Sequence, residues 1–119
     1  MGEYSCIFYE TREGKSPVEA FIDSLDEETQ DKFILKKQLL QDLGPQLRYS
    51  HTDNLEEGIF ELRFKEREGQ IRVLFFFFYG KRIIFSHGFV KKTQKTPRKE
   101  IEIAKERRKD FLVRHKKED

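Results

Sequence analysis

The pattern of apolar and polar positions divides the first part of the chain into a strand and a helix. Residues 4–9 (YSCIFY) are rich in β-forming side chains and predict an opening strand. In residues 16–25 the apolar positions recur at helical spacing. Ser16 as N-cap, Pro17 in the first turn and Glu19 after it form a capping box, which predicts where this helix begins.

A second helix is predicted from Glu27 to Leu43, and Gly44-Pro45 ends it. At about 100° per residue, most of its apolar side chains fall within one arc, which we expect to be buried. This arc contains Phe33, Leu35, Leu39, Leu40 and Leu43. Lys36 lies in the same arc, so we expect its aliphatic stem to follow apolar surface while its charge reaches water.

Residues 46–57 predict a loop, in which His51 is either a surface residue or part of an active-site loop. Three strands follow, with tight turns at Glu68-Gly69 and Gly80-Lys81 between them. These strands are Ile59 to Arg67, Gln70 to Tyr79 and Arg82 to Val90. A last helix is predicted after Thr96-Pro97. The predicted order is therefore β-α-α-β-β-β-α.

Two-residue turns set a register for the three strands and so assign side chains to faces, because directly paired residues share a face. The predicted pairs are Lys65 with Arg72, Leu74 with His87 and Tyr79 with Arg82. One face then carries the basic residues Arg63, Lys65, Arg72, His87 and Lys91, with Phe76, Phe78, Ile83 and Phe85 at its far end. The other face is predicted to be core and carries Phe60, Leu62, Phe64, Val73, Phe75, Phe77, Ile84 and Val90.

Like charges on opposite strand positions destabilise a sheet unless an anion lies between them, so the basic face predicts a phosphate site. An arginine in a central strand needs an acidic partner, and Glu61 is the obvious local candidate. His87 has two interpretations: a functional group beside the cations, or a hydrogen-bonded histidine within the core.

Charge is divided unevenly along the 119 residues. Residues 1–62 carry six Lys/Arg against fourteen Asp/Glu, and residues 63–119 carry eighteen against eight. A basic half favours a polyanion-binding surface, because clustered cations gain free energy by releasing counterions from phosphates. The alternative is an ordinary solvated surface that happens to be highly charged.

Composition also excludes several classes of protein. Cys6 is the only cysteine, so the chain can form no internal disulfide and no cysteine-based metal site, and we expect Cys6 to be a small core residue. No signal peptide is predicted, and the longest apolar run, residues 73–79, is far below the ~20 residues that a transmembrane helix needs. We therefore expect a cytoplasmic protein that is not bound to a membrane.

Four segments together resemble the RelE/ParE superfamily of bacterial toxins. They are ELRF, QIRVLFF, HGFVKKTQKTP and the EIEIAKERR helix. Within that superfamily the chain is most similar to the HigB-type branch, which includes many phage-derived members. The resemblance extends from the first strand to the last helix, so we expect residues 1–119 to form a single domain.

The resemblance implies a small α+β fold with a curved mixed sheet, N-terminal helices packed on one face and basic residues on the concave face. It also implies a toxin that a helix-turn-helix (HigA-like) antitoxin holds inactive in a hetero-oligomer. Many such toxins are endonucleases that cleave mRNA on the ribosome. The matching basic positions are Arg72 in the central strand, Arg63 and Lys65 in the preceding strand, and Lys91 and Lys92 after the last strand.

RelE itself uses a C-terminal tyrosine near the scissile phosphate, whereas this chain has no tyrosine after Tyr79. The expected chemistry is attack of a 2′-hydroxyl on its own phosphodiester, with no metal or other cofactor. Arg72 and Arg63 would stabilise the phosphorane, and His87 or Lys91 would transfer protons. The cations expected to bind the RNA backbone are Lys65, Lys92, Lys95 and Arg98.

Two other functions fit the same resemblance, because one fold hosts several functions. ParE-like members of the superfamily inhibit DNA gyrase and cleave no RNA. A non-toxic module that binds nucleic acid or protein is the second alternative, and the missing tyrosine favours it.

Overall fold

A computed structural model describes residues 3–48, 50–67 and 69–115. The described residues form a small α+β domain with three α-helices and one five-stranded mixed sheet. The helices are α1 (Pro17–Asp23), α2 (Glu27–Leu43) and α3 (Arg98–Arg114), and a 3-10 turn, Gly44–Gln46, follows α2. The strands are β1 (Ser5–Phe8), β2 (Thr52–Glu56), β3 (Ile59–Glu66), β4 (Gly69–Phe78) and β5 (Arg82–Lys91).

The sheet has the order β1-β5-β4-β3-β2, in which β1 pairs with β5 in parallel and the other neighbours are antiparallel. Its edge at β1 is covered by α2. The backbone N–H groups of Tyr4 and Cys6 donate to the carbonyl oxygen and the side-chain oxygen of Gln41, at 3.0 and 3.1 Å. This satisfies outward-facing edge donors that would otherwise be open to pairing with another chain.

Helices cover both faces of the sheet. The two N-terminal helices pack on one face, where Val18, Phe33 and Leu40 meet the strand residues Phe75 and Phe85 in the main core. The last helix packs on the other face through two smaller clusters, in which Phe111 contacts Phe76 and Ala104 lies with Leu74. The expected placement of the N-terminal helices on one face is confirmed. None of the described helices is long and apolar enough to cross a membrane.

The predicted loop 46–57 contains a fifth strand, so the predicted element order was incomplete. β2 forms the second edge of the sheet, antiparallel to β3, and a register shift between Asn54 and Glu56 interrupts the pairing. Polar residues dominate this strand, and only Thr52 is buried, with its hydroxyl donating to the Leu47 carbonyl at 2.7 Å. A short polar edge strand carries little hydrophobic periodicity, which is why the pattern did not predict it.

The β3–β4 hairpin turns one residue earlier than predicted, which shifts the pairing of the two strands by two positions. Glu66 pairs with Gly69, so residues 67 and 68 connect the strands, and residue 68 is outside the described residues. Arg63 therefore lies opposite Arg72, and Lys65 lies opposite Gln70 rather than Arg72. A shift of two positions preserves the faces, because side chains alternate with period two.

A β-bulge at Ser86 corrects the face assignment in β5. Leu74 pairs with His87 as predicted, but Phe75 pairs with Phe85 and Phe78 pairs with Arg82, so Ser86 has no partner and the predicted Tyr79–Arg82 pair is wrong. One extra residue reverses the faces beyond it. Ile83 and Phe85 consequently join the main core, whereas Ile84 lies under α3, the reverse of the prediction.

The bounds of α2 match the prediction, but its buried face does not. Phe33 and Leu40 are buried as expected, together with Thr29. Leu35, Leu39 and Leu43 are exposed, so the arc of buried residues is narrower than predicted.

The capping box predicted for α1 does not form. The helix begins at Pro17 after Ser16, but Ser16 makes no side-chain capping hydrogen bond. In α2, by contrast, Asp26 accepts a hydrogen bond from the backbone N–H of Thr29 at 2.8 Å. Packing of Val18 and Ile22 on the sheet therefore holds the shorter helix in place without its cap.

Candidate functional site

The last helix leaves one end of its sheet face open, and this end forms a basic cleft. The cleft has a volume of about 590 Å³ between the strand ends and the loop 92–97. We define it by its lining residues Arg63, Gln70, Lys91, Lys92, Thr93 and Gln94. A second hollow of about 480 Å³ continues past Arg63 and Lys91 toward β2 and the start of α3. Together they form a surface depression lined by five cations, Arg63, Lys91, Lys92, Lys95 and Arg98.

Beneath the basic cleft lies a buried ion pair. The side chains of Arg72 and Glu61 are 4% and 2% exposed, and Arg72 Nε is 3.6 Å from Glu61 Oε2. Arg72 also donates to the side-chain oxygen of Gln70 at 2.6 Å and to the backbone carbonyl of Ile71 at 3.0 Å. Glu61 is thus the acidic partner expected for an arginine in a central strand.

Arg63 forms the boundary between this buried pair and water. Its Nη1 lies 3.3 Å from Asp53 Oδ2 and 3.9 Å from Glu61 Oε2. The anion expected between opposed cations is therefore a carboxylate of the protein itself, since Glu61 lies close to both Arg63 and Arg72. The like-charge pairing alone consequently no longer calls for a bound phosphate.

Partial burial and the nearby charge of Arg72 distinguish Lys91 from the exposed lysines of the basic cleft. Its side chain is half-buried, and burial lowers the pKa of its ammonium group, with a further decrease from the charge of Arg72. The nearby carboxylate of Glu61 opposes this shift. A lysine with a lowered pKa is better able to exchange a proton near neutral pH than an ordinary surface lysine.

The loop 92–97 is attached to the cleft floor by one hydrogen bond. The hydroxyl of Thr96 donates to Glu61 Oε1 at 2.7 Å. Glu61 therefore contacts the loop, the central strand and Arg63 at once. Its place on the basic face follows from the strand period, but its contact with Thr96 depends on the path of the loop and had no sequence signal.

The four residues predicted to bind the RNA backbone divide into two groups. Lys65, Lys92 and Lys95 are exposed, and the latter two line the depression. Arg98 is also exposed, but it makes a bidentate ion pair with Glu56, at 2.6 and 2.8 Å, and a second pair with Glu102 at 3.0 Å. Its position thus favours holding α3 against β2 over contact with a polyanion.

The structure places His87 under α3 and does not place it in the lining of the basic cleft. Its Nε2 is 2.6 Å from Glu100 Oε1, its Nδ1 is 3.3 Å from Arg107 Nη1, and its ring stacks on Phe89. Because arginine can only donate, Nδ1 accepts and Nε2 donates to Glu100. Burial lowers the pKa of His87, which favours this neutral form. The geometry favours the interpretation as a core histidine.

Other candidates for chemistry lie away from the cleft. His51 precedes β2, and its Nδ1 accepts from Lys36 Nζ at 2.9 Å. Cys6 packs beside the main core, and burial raises the pKa of its thiol to about 12, so it is a poor nucleophile. Within the described ranges, no three His, Cys, Asp or Glu residues cluster so that they could hold a metal ion.

The fold and the cleft describe the class of this protein: a small α+β domain with a mixed sheet and a basic cleft beside its last helix. Comparison with family models then matches residues 20–109 to the Gp49-like phage-derived proteins. Because the match covers most of the chain, the protein belongs to this family. The phage-derived relationship that the resemblance implied is thereby confirmed. No curated protein sequence is significantly similar to the chain.

Proposed function

We propose that the protein is the toxin of a type II toxin–antitoxin system, of the HigB type, and that it cleaves mRNA on the ribosome. The observation that carries this proposal is the basic cleft, where Arg63, Lys91 and Lys92 converge on an open depression. Its volume and its cations suit a strand of nucleic acid. Membership in a phage-derived family and the resemblance to RelE/ParE toxins support the same function.

In the proposed reaction a 2′-hydroxyl gives up its proton and attacks its own phosphodiester. The bond from phosphorus to the 5′-oxygen breaks, and this oxygen takes up a proton as it leaves, so the products are a 2′,3′-cyclic phosphate and a 5′-hydroxyl. Lys91 is the proton-transfer group that the geometry favours, because its pKa is lowered and it lines the cleft. Arg63 stabilises the negative charge that develops on the phosphorane. Lys92, Lys95 and Lys65 hold the RNA backbone.

Arg72 and His87 take indirect roles in this proposal. Arg72 is buried and holds Glu61, which in turn orients Arg63 and the loop 92–97. His87 fixes the start of α3 through Glu100. Direct participation of either residue in catalysis stays a prediction, and it would require α3 or the loop to move.

The partners follow from the proposed class. We expect a HigA-like helix-turn-helix antitoxin in a hetero-oligomer with the toxin, and the ribosome with its mRNA as the target in the cytoplasm. A cleft with so few proton-transfer groups should react slowly with free RNA, so the ribosome would position the substrate.

Primer extension on a reporter mRNA in a translating extract tests the proposal. Native protein is compared with the double variant Arg63→Gln/Lys91→Met and with Lys109→Ala, an exposed lysine on α3 outside the cleft. We expect new 5′ ends only when ribosomes are present, a loss of at least about 100-fold in the double variant, and none in the control. Circular dichroism establishes that all three proteins are folded.

The other possible results of this assay reject either the cleft as the site or the nuclease activity itself. Cleavage that survives in the double variant would preserve the nuclease and reject the cleft as its site. Intact mRNA with native protein would reject the nuclease. A gyrase supercoiling assay then separates the second candidate, a ParE-like gyrase inhibitor, from a non-toxic binding module.

A further inference from the structure

Asp53 on the edge strand β2 faces the surface depression beside α3. In the sheet it lies opposite Glu61 of β3, so its side chain projects from the basic face. It lines the second hollow together with Arg63 and Lys91. The side chain of Asp53 is 44% exposed, so a bound molecule can reach its carboxylate.

Two other carboxylates line this hollow, and contacts within the protein already engage both of them. Glu61 is 2% exposed and accepts a hydrogen bond from the hydroxyl of Thr96. Glu56 pairs with two cations of α3. Of the three carboxylates, Asp53 is therefore the one best placed to accept a hydrogen bond from a ligand.

The contact between Asp53 and Arg63 is loose. Arg63 Nη1 lies 3.3 Å from Asp53 Oδ2, whereas a strong hydrogen bond between ionised groups is about 2.7–2.9 Å long. Arg63 lines both the basic cleft and the second hollow, and its side chain is 20% exposed. A phosphate that binds Arg63 would therefore lie beside the carboxylate of Asp53.

A carboxylate beside a phosphate site restricts what can bind there. An ionised carboxylate repels phosphate and can only accept hydrogen bonds, so the site favours a ligand with a donor next to its phosphate. In RNA this donor is the 2′-hydroxyl, on the sugar carbon next to the one that bears the 3′-phosphate, whereas donors on the bases lie farther away. DNA has no hydroxyl at this position, and this group is what lets a protein distinguish the two polymers.

We propose that Asp53 is a specificity-determining residue that selects RNA over DNA. Arg63 binds a phosphate of the strand, and the carboxylate of Asp53 accepts a hydrogen bond from the 2′-hydroxyl beside that phosphate. The inference rests on the proposed function, because it takes the basic cleft and the second hollow as the site of a nucleic acid. It adds the residue that recognises the ribose, and it holds whether or not the bound strand is cleaved.

Fluorescence anisotropy with short labelled single strands tests the role of Asp53. The probes are oligouridine and oligoadenosine, each made as RNA and as 2′-fluoro RNA, which keeps the sugar pucker of RNA but has no donor at the 2′ position. We expect the native chain to bind RNA about tenfold more tightly than 2′-fluoro RNA, the effect of one hydrogen bond to a charged acceptor. In Asp53→Ala this ratio should fall below about twofold.

A control variant separates the hydrogen bond from the change in charge. Removing any carboxylate strengthens the binding of a polyanion, so the ratio of the two dissociation constants, rather than either value, reports the 2′-hydroxyl. Asp42→Ala removes the same charge from an exposed position on α2, which packs on the other face of the sheet, and should keep the native ratio. Circular dichroism establishes that both variants are folded, and each titration is limited to the time over which electrophoresis shows intact RNA.

Failure of this inference and failure of the proposed nuclease give different results. Equal binding of RNA and 2′-fluoro RNA by the native chain, or an unchanged ratio in Asp53→Ala, would overturn the role of Asp53 and leave the nuclease in place. An effect of Asp53→Ala with only one of the two bases would assign the carboxylate to a base edge and would also overturn it. Absence of saturable binding to every probe would reject both proposals. Intact mRNA in the primer-extension assay, together with the expected ratio, would reject the nuclease alone.

Discussion

Arg72 and Glu61 form an ion pair that is almost completely shielded from water, and each residue makes the burial of the other tolerable. We expect Arg72→Met to lower the free energy of unfolding by about 3–5 kcal/mol, because Glu61 would keep a buried charge with a lost partner. Denaturant titration followed by circular dichroism measures the effect.

The same titration on Arg72→Met/Glu61→Leu gives the coupling between the two residues. We expect the double variant to be more stable than Arg72→Met alone, because no unpaired charge remains. Arg67→Met, which removes an exposed arginine near the same hairpin, should cost less than about 1 kcal/mol. Additive losses in the double variant would contradict the coupling. Because Arg72→Ala would also leave the buried charge of Glu61 without this partner, loss of activity in that variant would not identify Arg72 as a catalytic residue.

Individual residues of the candidate site were predictable where the strand period determines them. Arg63, Arg72, Glu61 and Lys91 share a face because alternation survives a register shift of two. The burial of Arg72 was not predictable, since it depends on how closely Glu61 and Gln70 pack around its guanidinium. The role of His87 was not predictable from the sequence either. It depends on the path of α3, which brings Glu100 and Arg107 to the imidazole ring.

At the scale of elements, the contact between α1 and β5 depends on the absence of a side chain at Gly88. A Cβ atom at this position would lie 2.6 Å from Cδ2 of Phe21 on α1. We expect Gly88→Ala to push α1 away from the sheet and to destabilise the protein by about 1–3 kcal/mol. Thermal unfolding of the two proteins gives the difference.

A cycle with Phe21→Leu checks that the steric contact is the cause. In the Phe21→Leu background the added methyl group meets a smaller side chain, so Gly88→Ala should cost less than it does in the native chain. An equal cost in both backgrounds would mean that backbone preference at position 88, and not the packing of α1, accounts for the loss.

Element types and bounds were more predictable than their packing. The bounds of α2 were predicted as Glu27 to Leu43, with Gly44-Pro45 as the end signal, and they are confirmed. The bulge at Ser86 leaves no such local signal. It depends on tertiary contacts, since Arg107 of α3 donates to the Ser86 carbonyl at 2.9 Å and the Ser86 hydroxyl donates to the Leu74 carbonyl. Turn positions alone therefore could not assign Ile83, Ile84 and Phe85 to their faces.

At the scale of the whole molecule, α3 crosses the sheet and is attached at both edges. Near its start, Glu56 of β2 pairs with Arg98 and Lys105. Near its end, Asp110 pairs with Arg114 and accepts from the hydroxyl of Tyr9, which follows β1, at 2.6 Å. These contacts connect the first and last parts of the chain and place α3 so that it leaves the basic cleft open.

The carboxylates of Glu56 and Asp110 both have lowered pKa values in the folded protein. Hydrogen bonds from Arg98 and then Lys105 lower the pKa of Glu56 to about 2. Hydrogen bonds from Arg114 and then Tyr9 lower the pKa of Asp110 to about 2 as well. Between these values and the ordinary values near 4.5 and 3.8, the unfolded chain binds more protons than the folded one. The stabilisation is therefore complete at neutral pH and is lost as the pH falls toward about 2.

Acid unfolding tests this attachment of α3. We expect the native protein to lose stability progressively between about pH 5 and pH 2, and Glu56→Gln to be less stable at pH 7 but to lose less over that interval. Glu106→Gln, an exposed change on the same helix, should follow the native curve. Parallel curves for the native protein and Glu56→Gln would show that the pairs with Arg98 and Lys105 are too well solvated to hold α3 on the sheet. The placement of α3 beside the cleft would then depend on its other contacts, which include the packing of Ala104 and Phe111 and the hydrogen bond from Tyr9 to Asp110.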